Sequence, residues 1–331
     1  MTEHIPLKAV LLFLLVMAFS ACESANPTPT MTRITVQLNW THDAQFAGFY
    51  VADQNGYYAE EGLSATFVEG GLNVDPVSPL LNDTAQFGVA VADRLILTRS
   101  DGKPLRAFAT IFRRSPVALF SLTDQNIRHP EDLIGKTINA SADTAPTLHA
   151  MLFRAGITSN QYTEVNVGPD FDRLYSGEIH VFVGFITTGA VNVQRAGHTL
   201  NFIYPDDYGV HFYGSSLIAT DDFITANPEL VRRFLRATLK GWTYAIENPE
   251  MVGSLIVKYK PDADPDLESA KMTASLPLVN TGEDQIGWME PVIWEEMMQT
   301  LLEQEVLTAP IDITEVYTLQ YIQELYGVPS E

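Results

Sequence analysis

The segment ITVQLNWTHDAQFAGFYVADQNG, residues 34–56, holds two patterns in succession. Ile34, Val36, Leu38 and Trp40 alternate with Thr35, Gln37 and Asn39, the period of a strand with one more buried face. Residues 44–55 then read as a helix, stopped by Gly56. The alternation continues downstream, with strands expected at Ser64 to Val68, Phe87 to Ala92 and Arg106 to Phe112. Between the last two, Asp93 is placed to cap a helix that Gly102 ends. From Val117 the rhythm resumes, with strands near 117–122, 137–141, 163–167, 180–185 and 200–205 and helices near 143–156, 170–177 and 188–197. Such βαβ alternation predicts largely parallel sheet covered on both faces. From Asn227 the texture turns helical. Asn227-Pro228 and Asn248-Pro249 are helix-start signals, and Val231, Phe234, Leu235, Thr238, Trp242, Ala245 and Ile246 hold one helical stripe. Two α/β units with a helical C-terminal third are expected, without an internal repeat.

The composition excludes several classes. In 331 residues, 46% are hydrophobic and 10% aromatic, enough for a packed core. Lys and Arg number 20 against 41 Asp and Glu, a net charge of −21, which has the wrong sign for holding nucleic acid. The lone cysteine, Cys22, allows neither an intrachain disulfide nor a cysteine-based zinc site. Ala9 to Phe19 is an unbroken apolar run of eleven, too short to span a bilayer, and Ser20-Ala21-Cys22 follows it. Small residues before a single cysteine resemble the lipobox of bacterial lipoproteins. Residues 1–21 are therefore expected to be a signal peptide, Cys22 the lipidated residue, and the Pro/Thr-rich stretch 22–32 a tether.

No catalytic set stands out. The seven histidines show no metal-ligand spacing, and Gly-x-Ser-x-Gly, Walker A and Gly-x-Gly-x-x-Gly patterns are absent from strand-to-helix turns. Aromatic residues gather instead at expected strand ends and first helical turns: Trp40, Phe46, Phe49, Tyr50, Phe112, Phe185, Tyr208 and Trp288. Ligands of open α/β sheets bind beyond the carboxyl ends of the strands, where rings can stack on a flat ligand. The bland alternative is that these rings are core.

Leu38-Asn39-Trp40, Gln45-Phe46-Ala47-Gly48-Phe49-Tyr50-Val51-Ala52 and Gly56-Tyr57-Tyr58-Ala59-Glu60-Glu61-Gly62-Leu63 resemble the NMT1/THI5-like solute-binding proteins. So do Phe87-Gly88-Val89-Ala90, Ser115-Pro116, Pro130-Glu131-Asp132-Leu133-Ile134-Gly135-Lys136 and Asp207-Tyr208-Gly209-Val210. The resemblance implies an α/β, two-lobed periplasmic-binding-protein fold of type II with the ligand in the interlobe cleft. Lobe one would comprise 33–116 plus 217–331, and lobe two 117–216. It implies no enzyme and no cofactor or metal. The expected partners are a small-molecule vitamin, an ABC permease with its ATPase, and the membrane through the lipid anchor; the protein would be a monomer on the extracytoplasmic face. The expected ligand-binding residues are Trp40, Phe46, Asp93, Ser115, Thr144, Phe185, Thr188, Tyr208 and Trp288.

Two departures bear on the ligand. Pyrimidine binders of the family carry Asn and His where this chain has Gln45 and Phe46, and an acidic residue where it has Thr187-Thr188-Gly189. Aromatic faces with neutral hydroxyl and amide groups suit a larger neutral ring system such as the isoalloxazine of riboflavin, ahead of a thiamine-precursor aminopyrimidine. A sulfonate binder would want arginine or backbone donors and fewer rings. The alternative of another class is a secreted pyrimidine-processing enzyme. Related enzymes use a cysteine-rich segment, and this chain has no cysteine after Cys22.

Overall fold

Ten strands form two five-stranded sheets in the computed structural model, which describes residues 31–72, 74–282 and 285–329. The signal peptide, Cys22 and residues 22–30 of the tether lie outside the described residues. Thr32, the last residue assigned to the tether, already opens the first strand. The strands are β1 (Thr32–Gln37), β2 (Leu63–Val68), β3 (Phe87–Val91), β4 (Leu105–Thr110), β5 (Val117–Leu122), β6 (Thr137–Asn139), β7 (Thr163–Val165), β8 (Val181–Phe185), β9 (Leu200–Ile203) and β10 (Ser215–Thr220).

The first sheet has the order β2-β1-β3-β10-β4 and the second β7-β6-β8-β5-β9. Each contains one strand that runs against its neighbours: β10 pairs antiparallel with β3 and β4, and β5 with β8 and β9. The two sheets share one topology, although the sequence shows no repeat. The strand β10 escaped the sequence reading because Ser215 to Ala219 are all buried and so show no period-two alternation. Ser216 in this strand is paired across the sheet, where its hydroxyl and that of Thr110 bond at 2.8 Å.

The chain passes between the sheets twice, in the segments 111–116 and 204–214, and the two passages touch. Gly214 N–H donates to the Phe112 carbonyl at 2.8 Å, and a Cβ on Gly214 would lie 2.7 Å from Phe112 Cβ and 2.9 Å from Pro116 Cδ. Only glycine lets the passages run this close.

Around the first sheet, the helix Pro228–Glu247 begins at the expected Asn-Pro signal. The Asn227 side chain bonds the Phe223 carbonyl instead of capping the helix. Its stripe is buried as expected except for Ile246, and Phe234 stacks on Phe87 with ring centroids 3.9 Å apart. The helix Ala92–Ser100 is capped by Val91, two residues before the expected cap, so Asp93 sits inside its first turn. The helix Pro291–Glu303 packs against both Ala92–Ser100 and the helix Ala145–Arg154 beside the second sheet.

Two glycines let the helices Ala47–Gln54 and Pro228–Glu247 pack tightly together. A Cβ on Gly241 would overlap the Gly48 carbonyl oxygen, and one on Gly48 would overlap the Trp242 ring. Helix propensity alone makes Gly→Ala stabilising by about 0.8–1.0 kcal/mol, whereas overpacking costs about 1–3 kcal/mol. Gly241→Ala is therefore expected to lower the denaturant midpoint of unfolding; a raised midpoint would show that the two helices can move apart freely.

Candidate functional site

Beyond the carboxyl ends of β1, β6 and β8 lies a cavity of about 380 Å³ walled by residues from both sheets. On the first-sheet side, β1 ends at Gln37, and Leu38 N–H still bonds the Val68 carbonyl at 2.9 Å. The chain then turns, and Gly70 N–H donates to the Trp40 carbonyl at 3.0 Å. A Cβ on Gly70 would overlap this turn, so its absence lets Asn39 and the partly buried Trp40 face the cavity.

The turn runs on to Asp43, whose Oδ1 accepts the Gln45 N–H at 2.9 Å. Asp43 is 4% exposed yet lines the cavity. Burial pushes its carboxyl up to about 6, against the opposing pull of Lys271. Beneath it, Lys271 Nζ donates to Glu268 Oε1 at 2.6 Å, and Ala44 N–H donates to Glu268 Oε2 at 2.8 Å. Both members of this ion pair are buried, and Lys271 also reaches the cavity wall. Lys260 joins them there, and no ion-pair partner reaches it among the described residues.

The second-sheet side is aromatic. Phe120 on β5, Phe182 on β8 and Phe171 form a cluster with ring centroids 5.2–6.3 Å apart, and Phe185 at the end of β8 also lines the cavity while packing against a separate core cluster. A wide π-type turn, Ile186–Ala190, follows and brings Thr188 and Gly189 to the wall, with Asn192 behind them. A Cβ on Gly189 would lie at ordinary contact distance, 3.4 Å from Phe120 and 3.5 Å from Phe171, so this turn rests against the rings. Thr144 lines the wall too, its hydroxyl accepting the Ser141 N–H at 2.9 Å. Asn139 holds the neighbouring loop, its Oδ1 accepting the Val167 N–H at 2.9 Å.

Of the nine residues expected to bind ligand, Trp40, Thr144, Phe185 and Thr188 line this cavity. The other five are placed elsewhere. Phe46 is buried in the core, 6.4 Å from Phe49. Ser115 lies on a passage between the sheets and accepts the Val117 N–H. Tyr208 ends a short turn that packs near the helix Ala145–Arg154. Trp288 is partly buried, its indole N–H donating to Glu290 Oε1 at 2.6 Å. Asp93 is 3% exposed and does not line the cavity, although Asp143, which does, lies close enough to raise its carboxyl further.

The sequence reading missed Phe120, Phe171, Phe182, Asp43, Lys260 and Lys271. The three rings come from separate segments of the chain, and no local spacing announces that they meet. Asp43 alone carried a signal, as an acidic residue directly before an aromatic-rich helix.

A profile of the family described as NMT1/THI5 like matches residues 43–252, more than half of the chain. The chain belongs to the NMT1/THI5-like family. Within the family's reach, the riboflavin-binding protein RibY of Chloroflexus aurantiacus is 24% identical over 315 residues, covering 92% of this chain and 90% of that protein. The formylaminopyrimidine-binding protein of Halalkalibacterium halodurans is 25% identical over 315 residues, covering 92% of this chain and 96% of its own. Among solved structures, the periplasmic aliphatic sulphonate binding protein SsuA of Escherichia coli superposes with a TM-score of 0.67 at 14% identity, covering 87% of this chain and 92% of that one. The NMT1/THI5-like chain thus has the α/β periplasmic-binding-protein fold expected from its motifs.

Asp93 offers a test of the charge beside this cleft. Burial, and secondarily Asp143, pushes its carboxyl up to about 7 from an ordinary 3.8, and its Oδ2 has no hydrogen-bond partner among the described residues. A raised carboxyl favours the folded state while protonated, and that contribution is lost as pH rises through the folded value. Asp93→Asn removes the ionisation. Its melting temperature relative to wild type is expected to be flat below about pH 4 and to rise towards pH 7. Above pH 7 the gain should hold at about 2–4 °C or more, the shift that roughly 1 kcal/mol produces. A difference that does not vary with pH would mean that Asp93 ionises freely.

Proposed function

We propose that this chain is the solute-binding component of an ABC importer and captures a flat heteroaromatic vitamin, riboflavin, between two lobes. The lobes are 33–116 plus 217–331 and 117–216. Cys22 carries the lipid that anchors a monomer to the extracytoplasmic membrane face, where it meets its permease and ATPase. One observation supports the ligand class above the others. Phe120, Phe171, Phe182 and Phe185 line the cavity from the second sheet, the first three as one ring cluster, and Trp40 lines it from the first sheet. Two such surfaces suit a planar ring system that presents both faces.

The volume agrees with a ligand larger than one ring. At about 30 Å³ per water, 380 Å³ holds roughly a dozen waters, in the range of drug-sized pockets. The relative named for riboflavin adds support by similarity. A second reading, an aminopyrimidine, draws on the carboxylates of Asp43 and Asp143 in the wall, which could accept from an exocyclic amino group. It draws also on the relative named for a formylaminopyrimidine. A pyrimidine-forming enzyme is disfavoured by the absence of any cysteine after Cys22.

Trp40→Ala tests the reading. Stacking on an aromatic side chain is worth about 1–3 kcal/mol per base-sized ring, by analogy with nucleic-acid binding. Flavin fluorescence titration should therefore show riboflavin binding weakened by about ten- to a hundredfold. The melting temperature should stay near wild type, because Trp40 is partly buried whereas Trp242 and Trp294 lie in the core. A collapsed melting temperature with affinity retained in the folded fraction would return Trp40 to the core. Tight capture of the formylated aminopyrimidine with no affinity for riboflavin would favour the second reading.

A further inference from the structure

The two walls of the cleft differ in kind, and the difference bears on which end of a ligand faces which side. The phenylalanine wall is apolar. The opposite wall offers Asp43, Lys260 and Lys271 together with Asn39. Asp43 accepts one hydrogen bond, from Gln45 N–H, and no other donor reaches its carboxylate among the described residues. Lys260 has no ion-pair partner among them. Asn39 is 9% exposed, and its side-chain Oδ1 is buried without a hydrogen-bond partner among the described residues. Buried polar groups in folded proteins are nearly always paired, so this wall is incomplete as it stands.

Charge narrows what completes it. Two carboxylates, Asp43 and Glu268, stand beside two ammonium groups, Lys260 and Lys271. With Glu268 neutralising Lys271 beneath the wall, Asp43 and Lys260 leave no net charge to attract an anion or a cation, and a phosphate would meet the Asp43 carboxylate. A hydroxyl both donates and accepts. A row of hydroxyls can therefore donate to Asp43 and Asn39 while accepting from Lys260 and Lys271.

We propose that the Asp43, Lys260 and Lys271 wall is a subsite for a polyhydroxylated chain attached to the planar ring. The inference rests on the reading of the cleft as a flavin site, in which the ring lies against the phenylalanines and the chain points to the opposite wall.

Three probes separate the inference from that reading. Riboflavin carries a ribityl chain, lumiflavin has the same ring with a methyl group in its place, and flavin mononucleotide adds a terminal phosphate. The full chain is titrated with each, as wild type, Asp43→Asn and Lys260→Met. Asparagine keeps the acceptor for Gln45 N–H, and methionine keeps an apolar stem at a partly buried position, so both variants should fold. Wild type is expected to hold riboflavin about tenfold or more tighter than lumiflavin, as one hydrogen bond to a charged group allows. Each variant should weaken riboflavin by about tenfold and leave lumiflavin unchanged. Equal affinity of wild type for riboflavin and lumiflavin, with both bound, keeps the flavin reading and overturns the subsite. Flavin mononucleotide binding tighter than riboflavin overturns it in favour of an anion site. No binding of any of the three overturns the flavin reading and the subsite together.

Discussion

Where the chain crosses between its sheets, Gly214 N–H bonds the Phe112 carbonyl, with Ile111 N–H on the Ser215 carbonyl beside it. The arrangement of the cleft depends on this contact. It brings β10 back into the first sheet between β3 and β4, just as β5 enters the second between β8 and β9. With one reversed strand in each sheet, the remaining strands of both point their carboxyl ends at the same space. Ligands of open α/β sheets bind in such a space. Asn39 and Trp40 reach it from β1, Asn139 and Ser141 from β6, and Phe185 and Thr188 from β8.

The walls have opposite energetic characters. Phenylalanine rings at the second sheet bury apolar area and need no partner. The first-sheet wall instead buries a Glu268–Lys271 pair and a raised Asp43 carboxyl, groups whose desolvation is costly unless well paired. Part of that cost is offset by the Ala44 N–H bond to Glu268 and the Gln45 N–H bond to Asp43. Asn39 and Lys260 line the cavity, and the Asn39 Oδ1 is buried without a hydrogen-bond partner among the described residues. A polar wall left incomplete opposite a complete apolar wall is what a capture site for a two-ended ligand requires.

Much of this architecture is legible in the sequence. The alternation from Ile34 locates β1, and the Asn227-Pro228 signal locates the start of the helix Pro228–Glu247 to the residue. The strand β10 is not legible, because it is buried on both faces. Periodicity says which side of an element is buried, and it is silent on which buried sides meet. Phe46 and Phe185 look alike as aromatics next to strand ends, yet one packs beneath the helix Ala47–Gln54 and the other faces the cavity. Lys260 and Lys271 belong to the C-terminal helical third, and only the long return of the chain brings them against Asp43. The family motifs carry the fold because they mark strand ends and turns. They say less about the ligand, because the aromatic wall comes mostly from residues outside them.

The central claim is capture without conversion. It is tested most directly by incubating the full chain with riboflavin, dialysing away the excess, denaturing the protein and analysing the released compound by chromatography and mass spectrometry. The account predicts that riboflavin is retained at about one molecule per chain and recovered chemically unchanged. Loss of all flavin on dialysis, or recovery of an altered compound, would contradict it.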